Sequence, residues 1–257
     1  MSNRVAGVLS SLVATLLLLA PASRLAAAEA AHHWSYAGET GPDHWGALEG
    51  EYGTCGLGHL QSPIDIHADA AKPSALPPID FHYQAAPLSV IDNGHTIQVS
   101  YAPGSYIVTG GHRYDLVQFH FHKPSEEALD GKRFPMVAHL VHKDGDGKLA
   151  VVAVLLADGH ENPVIDSIWK AIPSVQGKAV TVAGVEIDVS KLLPANHAYY
   201  TFAGSLTTPP CSEGVTWFVL QTPSTVSADE VAAFGAHYPM NARPLQPVNG
   251  REVRVSH

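Results

Sequence analysis

The sequence predicts a single, mainly β domain of the α+β type, with a few short helices at its periphery. Three observations lead to this prediction. The length of 257 residues suits one domain with a sizeable core better than it suits two domains. Hydrophobic residues make up 46% of the chain and charged residues only 15%, which argues against intrinsic disorder and against a coiled coil. Short apolar runs, separated by turn-forming residues, recur along the chain, whereas helical patterns are few.

The charge balance is acidic, with 24 Asp and Glu against 15 Lys and Arg, and no cluster of basic residues forms a stripe. A nucleic-acid partner is therefore not expected, because binding to a phosphate backbone needs such a stripe. The 16 histidines outnumber the basic residues. This excess is the one compositional indication of metal or proton chemistry.

Residues 1–28 are predicted to be a secretory signal peptide that is cleaved, leaving 29–257 as the mature domain. Met1–Arg4 is basic, Val5–Ala20 is rich in apolar residues, and Ala26–Ala28 offers small residues for cleavage. The alternative is a retained membrane anchor, but the apolar stretch is short for a membrane span. No later apolar run approaches membrane length, so no span is expected after cleavage.

Export implies an oxidising compartment, which favours a disulfide between the only two cysteines, Cys55 and Cys211. The alternative is two separate buried thiols. The expected location is the periplasm, with secretion into the medium as the alternative.

The pattern along the chain predicts each element in turn. The segment Ala31–Gly58 is rich in Trp, Tyr, Gly and His without a clear period, and it is expected to form an ordered N-terminal wrap. Ten strands are predicted: Asp65–His67, Ser89–Asp92, Thr96–Tyr101, Tyr106–Thr109, Leu116–His122, Met136–His142, Leu149–Ala157, Ala179–Ile187, Tyr199–Phe202 and Val215–Thr222. Two helices are predicted, at Pro163–Ile172 and Ala228–His237, the second capped by Ser227 with Glu230 three residues later.

Three histidines on two of these strands form a candidate metal site. Because side chains alternate along a strand, Gln118, His120 and His122 share one face. A neighbouring strand, Met136–His142, could bring His139 to the same ion. Three His ligands with an open fourth position suit a catalytic zinc. A His-x-His pair also occurs in cupins, in metallo-hydrolases and by chance. Spacing alone therefore supports equally well the interpretation that these histidines are ordinary polar residues of a sheet.

Six motifs in the chain closely resemble those of the α-class carbonic anhydrases, specifically the exported bacterial type. They are Gln61–Ile66, Asn93–His95, Gln118–His122, His139–His142, Gly204–Trp217 and Asn241–Pro244. They follow the family order and extend from about Trp34 to Val253. The resemblance implies the α-carbonic anhydrase fold, a large, twisted, mostly antiparallel sheet with short peripheral helices. It also implies reversible hydration of carbon dioxide to bicarbonate and a proton, with Zn²⁺ as the cofactor; homodimerisation is left open.

The resemblance further implies how the site would act. His120, His122 and His139 match the zinc ligands. Zinc lowers the pKa of its bound water to about 7 in carbonic anhydrases, the best-known example of this effect, so that hydroxide is available to attack carbon dioxide. Thr207 matches the threonine that accepts a hydrogen bond from this hydroxide, and Glu126 matches the glutamate that takes the threonine's own proton.

Other matches concern proton transfer, ligand orientation and substrate binding. His95 matches the proton shuttle, although by itself it is equally an ordinary turn histidine. Gln118 matches the partner of the first ligand, and Asn241 lies where a backbone carbonyl orients the second. Cys55 and Cys211 fall where exported members carry a disulfide. The positions that match the substrate pocket are Val141, Val151, Leu206, Thr207, Thr208, Val215 and Trp217.

The chain departs from the family pattern at three linked positions. In many relatives a glutamate two residues before the third ligand accepts a hydrogen bond from that imidazole, and here Val137 stands in its place. A histidine and a tyrosine of the same network are replaced by Glu127 and Phe202. We expect Glu127 to supply the missing carboxylate to His139. The alternative is a solvated Glu127, with a water or a backbone carbonyl serving His139.

Two other functions are compatible with a histidine zinc site. A non-catalytic zinc-binding or buffering protein would need a closed site of four ligands and no pairing of Thr207 with Glu126. A zinc esterase would need a roomier pocket than Val141, Leu206 and Trp217 leave.

Overall fold

The computed structural model describes Met1 and residues 34–257. Apart from Met1, the predicted signal peptide at 1–28 lies outside the described residues, as does the start of the predicted N-terminal wrap. In the part of the chain that is described, no helix has both the length and the apolar character needed to cross a membrane.

The described residues form sixteen strands and four α-helices, in agreement with a mainly β chain. The strands are β1 (Asp65–Ile66), β2 (Lys72–Pro73), β3 (Ile79–His82), β4 (Ala86–Asp92), β5 (Ile97–Ser100), β6 (Tyr106–Thr109), β7 (His112–His122), β8 (Ala128–Leu129), β9 (Lys132–Arg133), β10 (Met136–Lys143), β11 (Leu149–Asp158), β12 (Val180–Ile187), β13 (Tyr199–Ser205), β14 (Glu213–Leu220), β15 (Ser224–Val226) and β16 (Arg254–Val255). The helices are α1 (Trp45–Leu48), α2 (Thr54–Leu57), α3 (Pro163–Trp169) and α4 (Ala228–His237). Single 3-10 turns lie at Gly38–Thr40, Gly50–Tyr52 and Val189–Leu192.

One sheet of 13 strands dominates the described chain, and its long path runs β12-β4-β5-β7-β10-β11-β14-β13-β16-β2. Neighbouring strands are antiparallel except for β11 with β14, β11 with β15, and β16 with β2. A second sheet of three short strands has the order β1-β8-β9. The predicted fold class is therefore confirmed.

The ten predicted strands are all present, with ends that differ by a few residues. The six additional strands, β2, β3, β8, β9, β15 and β16, contain only two to four residues each. They are too short to show a period in the sequence. The helix α4 begins as predicted, since the Ser227 hydroxyl accepts from the Glu230 amide and the Glu230 carboxylate accepts from the Ser227 amide.

Alternation along the central strands separates two hydrophobic cores. On β10, Met136, Ala138 and Leu140 belong to the larger core, which also contains the phenylalanines of β7 and residues of α3 and α4. Val137 and Val141 belong to a smaller core that includes Trp217. Burying a large apolar side chain contributes about 1.5–3 kcal/mol, so a shift of register by one residue would be costly. The packing therefore fixes which face of β10 each side chain occupies.

The N-terminal segment contains a small aromatic cluster. Trp45 is fully buried, and its indole N–H donates to the carbonyl oxygens of Ser35 (2.9 Å) and Thr40 (3.1 Å). Trp34 and Tyr36 pack against it edge to face. Between 34 and 58 the expectation of an ordered segment is thus met.

Candidate metal centre

The three candidate histidines lie side by side in the middle of the main sheet, on β7 and β10. These strands are antiparallel, and their register places His139 opposite His120 and Val137 opposite His122. Residues that face each other across a strand pair point to the same side of the sheet. The two strands therefore bring three imidazoles to one face.

The three rings converge on one point. Their centroids are 5.0 Å apart for His120 and His122, 5.6 Å for His120 and His139, and 4.7 Å for His122 and His139. One nitrogen from each ring can be chosen so that all three lie within 4.8 Å of one another. The Nε2 atom of His122 is buried and has no hydrogen-bond partner among the described residues. An orphaned buried nitrogen beside two others is what a metal ion would satisfy.

The opposite nitrogen of each ring is held by a hydrogen bond. His120 Nδ1 donates to Gln118 Oε1 at 2.9 Å, and His122 Nδ1 donates to the Asn241 carbonyl oxygen at 2.7 Å. His139 Nε2 lies 3.1 Å from the Glu127 carboxylate. These contacts leave Nε2 of His120, Nε2 of His122 and Nδ1 of His139 directed at the common point. Three oriented imidazoles are a donor set that fits zinc well.

Burial determines the protonation of two of the rings. It lowers the pKa of His120 to about 3, with a further contribution from the nearby His139. Burial also lowers the pKa of His122 far below its usual value, and the other two imidazoles add to this effect. Burial acts in the same direction on His139, but Glu127 and then Glu126 outweigh it, so the pKa of His139 is raised. His120 and His122 are thus neutral near pH 7, which is the form that binds metal ions.

Glu126 lies beside this cluster and is fully buried. Its Oε1 accepts a hydrogen bond from the Arg243 backbone N–H at 2.7 Å, and its Oε2 lies 3.4 Å from His122 Nε2. Burial raises the pKa of Glu126 to about 7, whereas His139, the Thr207 hydroxyl and the Arg243 amide act to lower it. The carboxyl group is therefore placed to interact with Thr207 and with the ligand rings.

Arg243 is a residue whose role the sequence did not predict. Arg243 is 1% exposed, and its guanidinium donates to Gln61 Oε1, to the Ser62 carbonyl oxygen and to the Cys55 carbonyl oxygen, at 2.8–3.0 Å. The only indication in the sequence was that Arg243 lies in the motif Asn241–Pro244. Its hydrogen-bond partners could not be predicted, because they lie more than 180 residues away in the chain. Arg243 links the Glu126 carboxylate to the N-terminal segment.

His95 lines a small cleft that also borders the histidine cluster. The cleft has a volume of ≈ 140 Å³, and its lining includes His95, His120, His122 and Thr208. The His95 ring stacks on Trp34, with centroids 3.6 Å apart, and its Nε2 lies 3.1 Å from the Trp34 carbonyl oxygen. This contact was not predicted from the sequence, because Trp34 is 61 residues away along the chain.

The predicted apolar pocket residues lie together. Val151 is paired with Val141 on β10 and with Trp217 on β14. Trp217 packs edge to face against the His139 ring, with centroids 4.9 Å apart. Leu206 and Val215 belong to the same core. An apolar wall thus adjoins the third candidate ligand.

A disulfide joins Cys55 and Cys211, with an Sγ–Sγ distance of 2.06 Å, as predicted. The Cys211 amide donates to the Thr208 carbonyl oxygen at 2.8 Å, which closes a turn directly after Thr207. Gln61 Nε2 donates to the Cys211 carbonyl oxygen at 3.1 Å. The segment that carries Thr207 is therefore tethered covalently to α2.

The sequence matches a family model described as eukaryotic-type carbonic anhydrase over residues 40–257. The chain belongs to this family. Carbonic anhydrases interconvert carbon dioxide and bicarbonate, so the enzyme class and the family predicted from the sequence are confirmed. A carbonic anhydrase from Nostoc sp. is 43% identical over 224 residues, which cover 86% of this chain and 85% of the relative. One from Klebsiella pneumoniae is 46% identical over 226 residues, covering 87% and 91%.

A solved structure shows the same fold. The α-carbonic anhydrase from Thermovibrio ammonificans, in complex with the inhibitor sulfanilamide, superposes with a TM-score of 0.84. It is 43% identical in sequence and covers 87% of this chain and 99% of its own. The carbonic anhydrase described here therefore shares both sequence and architecture with bacterial enzymes.

Proposed function

We propose that this carbonic anhydrase hydrates carbon dioxide at a zinc ion held by His120, His122 and His139. The observation that carries the proposal is the convergence of three imidazoles, two of them buried and that of His120 half-buried, whose outer nitrogens are all engaged. A zinc ion at this point would act as a Lewis acid that makes a hydroxide nucleophile available near neutral pH.

Thr207 and Glu126 would orient the nucleophile. The Thr207 hydroxyl has one proton, and donation of that proton to the nearby Glu126 carboxylate would use it. The Thr207 oxygen must then accept a hydrogen bond from the incoming nucleophile. This arrangement directs a lone pair of the nucleophile toward the substrate, which lowers the entropic part of the barrier.

The apolar wall would bind carbon dioxide. Carbon dioxide is small and uncharged, so an apolar surface beside the ligands suffices to hold it. Val141, Val151, Leu206, Val215 and Trp217 form such a surface within one core cluster. Thr208 lines the adjoining cleft, where a polar product could leave.

His95 would carry protons between the centre and solvent. Each turnover releases one proton, and an imidazole with a usual pKa of about 6.5 can accept and release it near neutral pH. His95 lines the cleft that also contains His120 and His122, which supports this role. The Asn241 side-chain amide donates to the carbonyl oxygens of His95 and Phe121. These hydrogen bonds hold the turn that carries His95 against strand β7.

Stopped-flow measurement of carbon dioxide hydration tests the proposal. We expect activity in the purified enzyme, loss of activity after zinc is removed with a chelator, and recovery on addition of one equivalent of zinc. Full activity without bound metal would contradict the zinc assignment. Zinc binding without hydration would instead support the non-catalytic zinc-binding alternative.

We also propose that the enzyme is exported to the periplasm. The support consists of the Cys55–Cys211 disulfide, which is typical of oxidising compartments, and the similarity to bacterial relatives. Expression of the full chain in a Gram-negative host, followed by cell fractionation and N-terminal sequencing, tests this proposal. The protein should appear in the periplasmic fraction with a new N-terminus near Ala28. A full-length protein in the cytoplasmic or membrane fraction would contradict it.

A further inference from the structure

Glu127 is a buried carboxylate whose surroundings give it a single partner. It is 0% exposed, and the residue directly before it, Glu126, is also a buried glutamate. Both of its carboxylate oxygens lie 3.1 Å from His139 Nε2. Among the described residues, no other side chain or amide donates a hydrogen bond to this carboxylate. A buried carboxylate without a donor is strongly disfavoured, so the contact with His139 Nε2 offsets the cost of burying Glu127.

The strand that carries His139 offers no acceptor for the same ring nitrogen. Val137 lies two residues earlier on the same face of β10, and it has no polar side-chain atom. Phe202 and Trp217, which stack on each other near this face, contribute no acceptor either. The Nε2–H group of His139 therefore depends on Glu127.

The backbone of Glu127 is fixed by the segment in which it lies. The Ser125 hydroxyl donates to the Glu127 carbonyl oxygen at 2.7 Å, and the Phe134 amide donates to the same hydroxyl oxygen at 2.9 Å. The Ser125 amide also donates to the Phe134 carbonyl oxygen at 3.0 Å. These bonds clamp the segment onto the chain before β10, so the Glu127 carboxylate has little freedom to move away from His139.

We infer that Glu127 is the positioning residue of the third metal ligand. It accepts from Nε2–H of His139 and so holds Nδ1 toward His120 and His122; this inference rests on the proposed metal centre. Because Glu126 precedes Glu127 directly, one clamped segment supports both the third ligand and the partner of Thr207. Metal retention and orientation of the nucleophile then depend on the same short segment.

The first test compares metal affinity in two matched variants. Glu127→Gln removes the charge and keeps the shape, and we expect zinc to bind about tenfold more weakly or worse, measured by competition with a chromogenic chelator. Glu230→Gln is the control, since Glu230 is also buried but accepts from Asn162 and caps α4. It should lower thermal stability and leave zinc affinity unchanged. Equal zinc affinity in wild type and Glu127→Gln would overturn the inference.

A second measurement avoids any variant that fails to fold. Nitrogen-15 NMR of the zinc-loaded wild type reports the tautomer of each histidine. We expect Nδ1 of His139 to be bound to the metal and Nε2 to carry a proton that exchanges slowly with solvent. Metal on Nε2, or a rapidly exchanging Nε2 proton, would overturn the inference. A wild type that binds no zinc at all would instead contradict the proposed function.

Discussion

Strand β10 carries two buried histidines on its two faces, and their surroundings differ completely. His139 is 1% exposed and lies among two other imidazoles and two carboxylates. His142 is 0% exposed and lies on the side of the larger core, where the Tyr83 hydroxyl contacts its Nε2 at 2.8 Å. Burial lowers the pKa of His142 to about 4, whereas the neighbouring glutamates raise the pKa of His139.

This difference shows that residue type and burial do not by themselves make a metal ligand. Among the described residues, Nδ1 of His142 has no hydrogen-bond partner, and His142 belongs to no group of side chains that could hold a metal ion. At His139, the register with β7 supplies the neighbouring donors and Glu127 fixes the ring. The predictions below test that distinction, beginning with the largest effect.

Removing a ligand from the cluster should abolish the metal site. His139→Ala, His120→Ala and His122→Ala should each lose most of the bound zinc and nearly all hydration activity, because two imidazoles bind zinc far more weakly than three. Metal analysis of the purified variants and stopped-flow assays measure both. Stoichiometric zinc in any of the three variants would show that the ligand set is wrong.

Removing the shuttle should slow turnover without changing the metal. His95→Ala should lower kcat on the order of 10²-fold in weak buffer while kcat/KM changes little, because proton transfer follows conversion of carbon dioxide. Zinc content should stay at one equivalent, in contrast to His139→Ala. Added imidazole should restore part of kcat. An unchanged kcat in weak buffer would assign proton transfer to another group.

Reducing the disulfide should weaken the fold before it affects the site. Cys55 and Cys211 pack in a cluster with Trp45, and the bridge tethers the segment after Thr207 to α2. We expect reduction to cost about 2–5 kcal/mol of unfolding free energy while zinc remains bound in the folded protein. Denaturant titration and metal analysis with and without a reductant check this. Release of zinc from the folded, reduced protein would contradict it.

The histidine on the other face should matter for stability alone. His142→Ala should lower the free energy of unfolding by about 1–3 kcal/mol, because it leaves a cavity and an unpaired Tyr83 hydroxyl. Zinc stoichiometry should match that of the wild type. Loss of zinc from folded His142→Ala would remove the contrast between the two faces of β10.

The pH dependence of stability should change when His142 is replaced. Its pKa is about 4 in the folded chain and about 6.5 in the unfolded chain, so the unfolded state binds more protons between these values. Stability therefore falls as pH drops below about 6.5, by up to about 1.4 kcal/mol per pH unit for this group. In metal-free protein, His142→Gln should reduce this slope relative to wild type. Identical slopes in urea titrations between pH 4 and 7 would contradict the assignment.

Much of this contrast follows from local sequence patterns. The period of two along Leu116–His122 and Met136–His142 was sufficient to place His120, His122 and His139 on shared faces and His142 on the opposite one. The contact between Glu127 and His139 was predicted from the resemblance to the carbonic anhydrases, because Val137 replaces the usual acceptor and Glu127 occupies a position of the same network. The structure places the two groups at 3.1 Å.

The features that sequence patterns missed are contacts between distant segments. Arg243 reaches the carbonyl oxygen of Cys55, and Trp34 stacks on His95, across separations of 188 and 61 residues. No local period or spacing encodes such pairs. Strands of two residues, such as β8 and β16, form because a neighbouring strand supplies hydrogen bonds, so their own residues carry no signal.

Anomalous diffraction at the zinc edge, from crystals of the zinc-loaded enzyme, tests the central claim most directly. The structure predicts one strong peak about 2.0–2.1 Å from Nε2 of His120, Nε2 of His122 and Nδ1 of His139. It predicts no peak at His142, on the opposite face of β10. A peak that contacts Nε2 of His139, or one that lies away from the three imidazoles, would contradict the account.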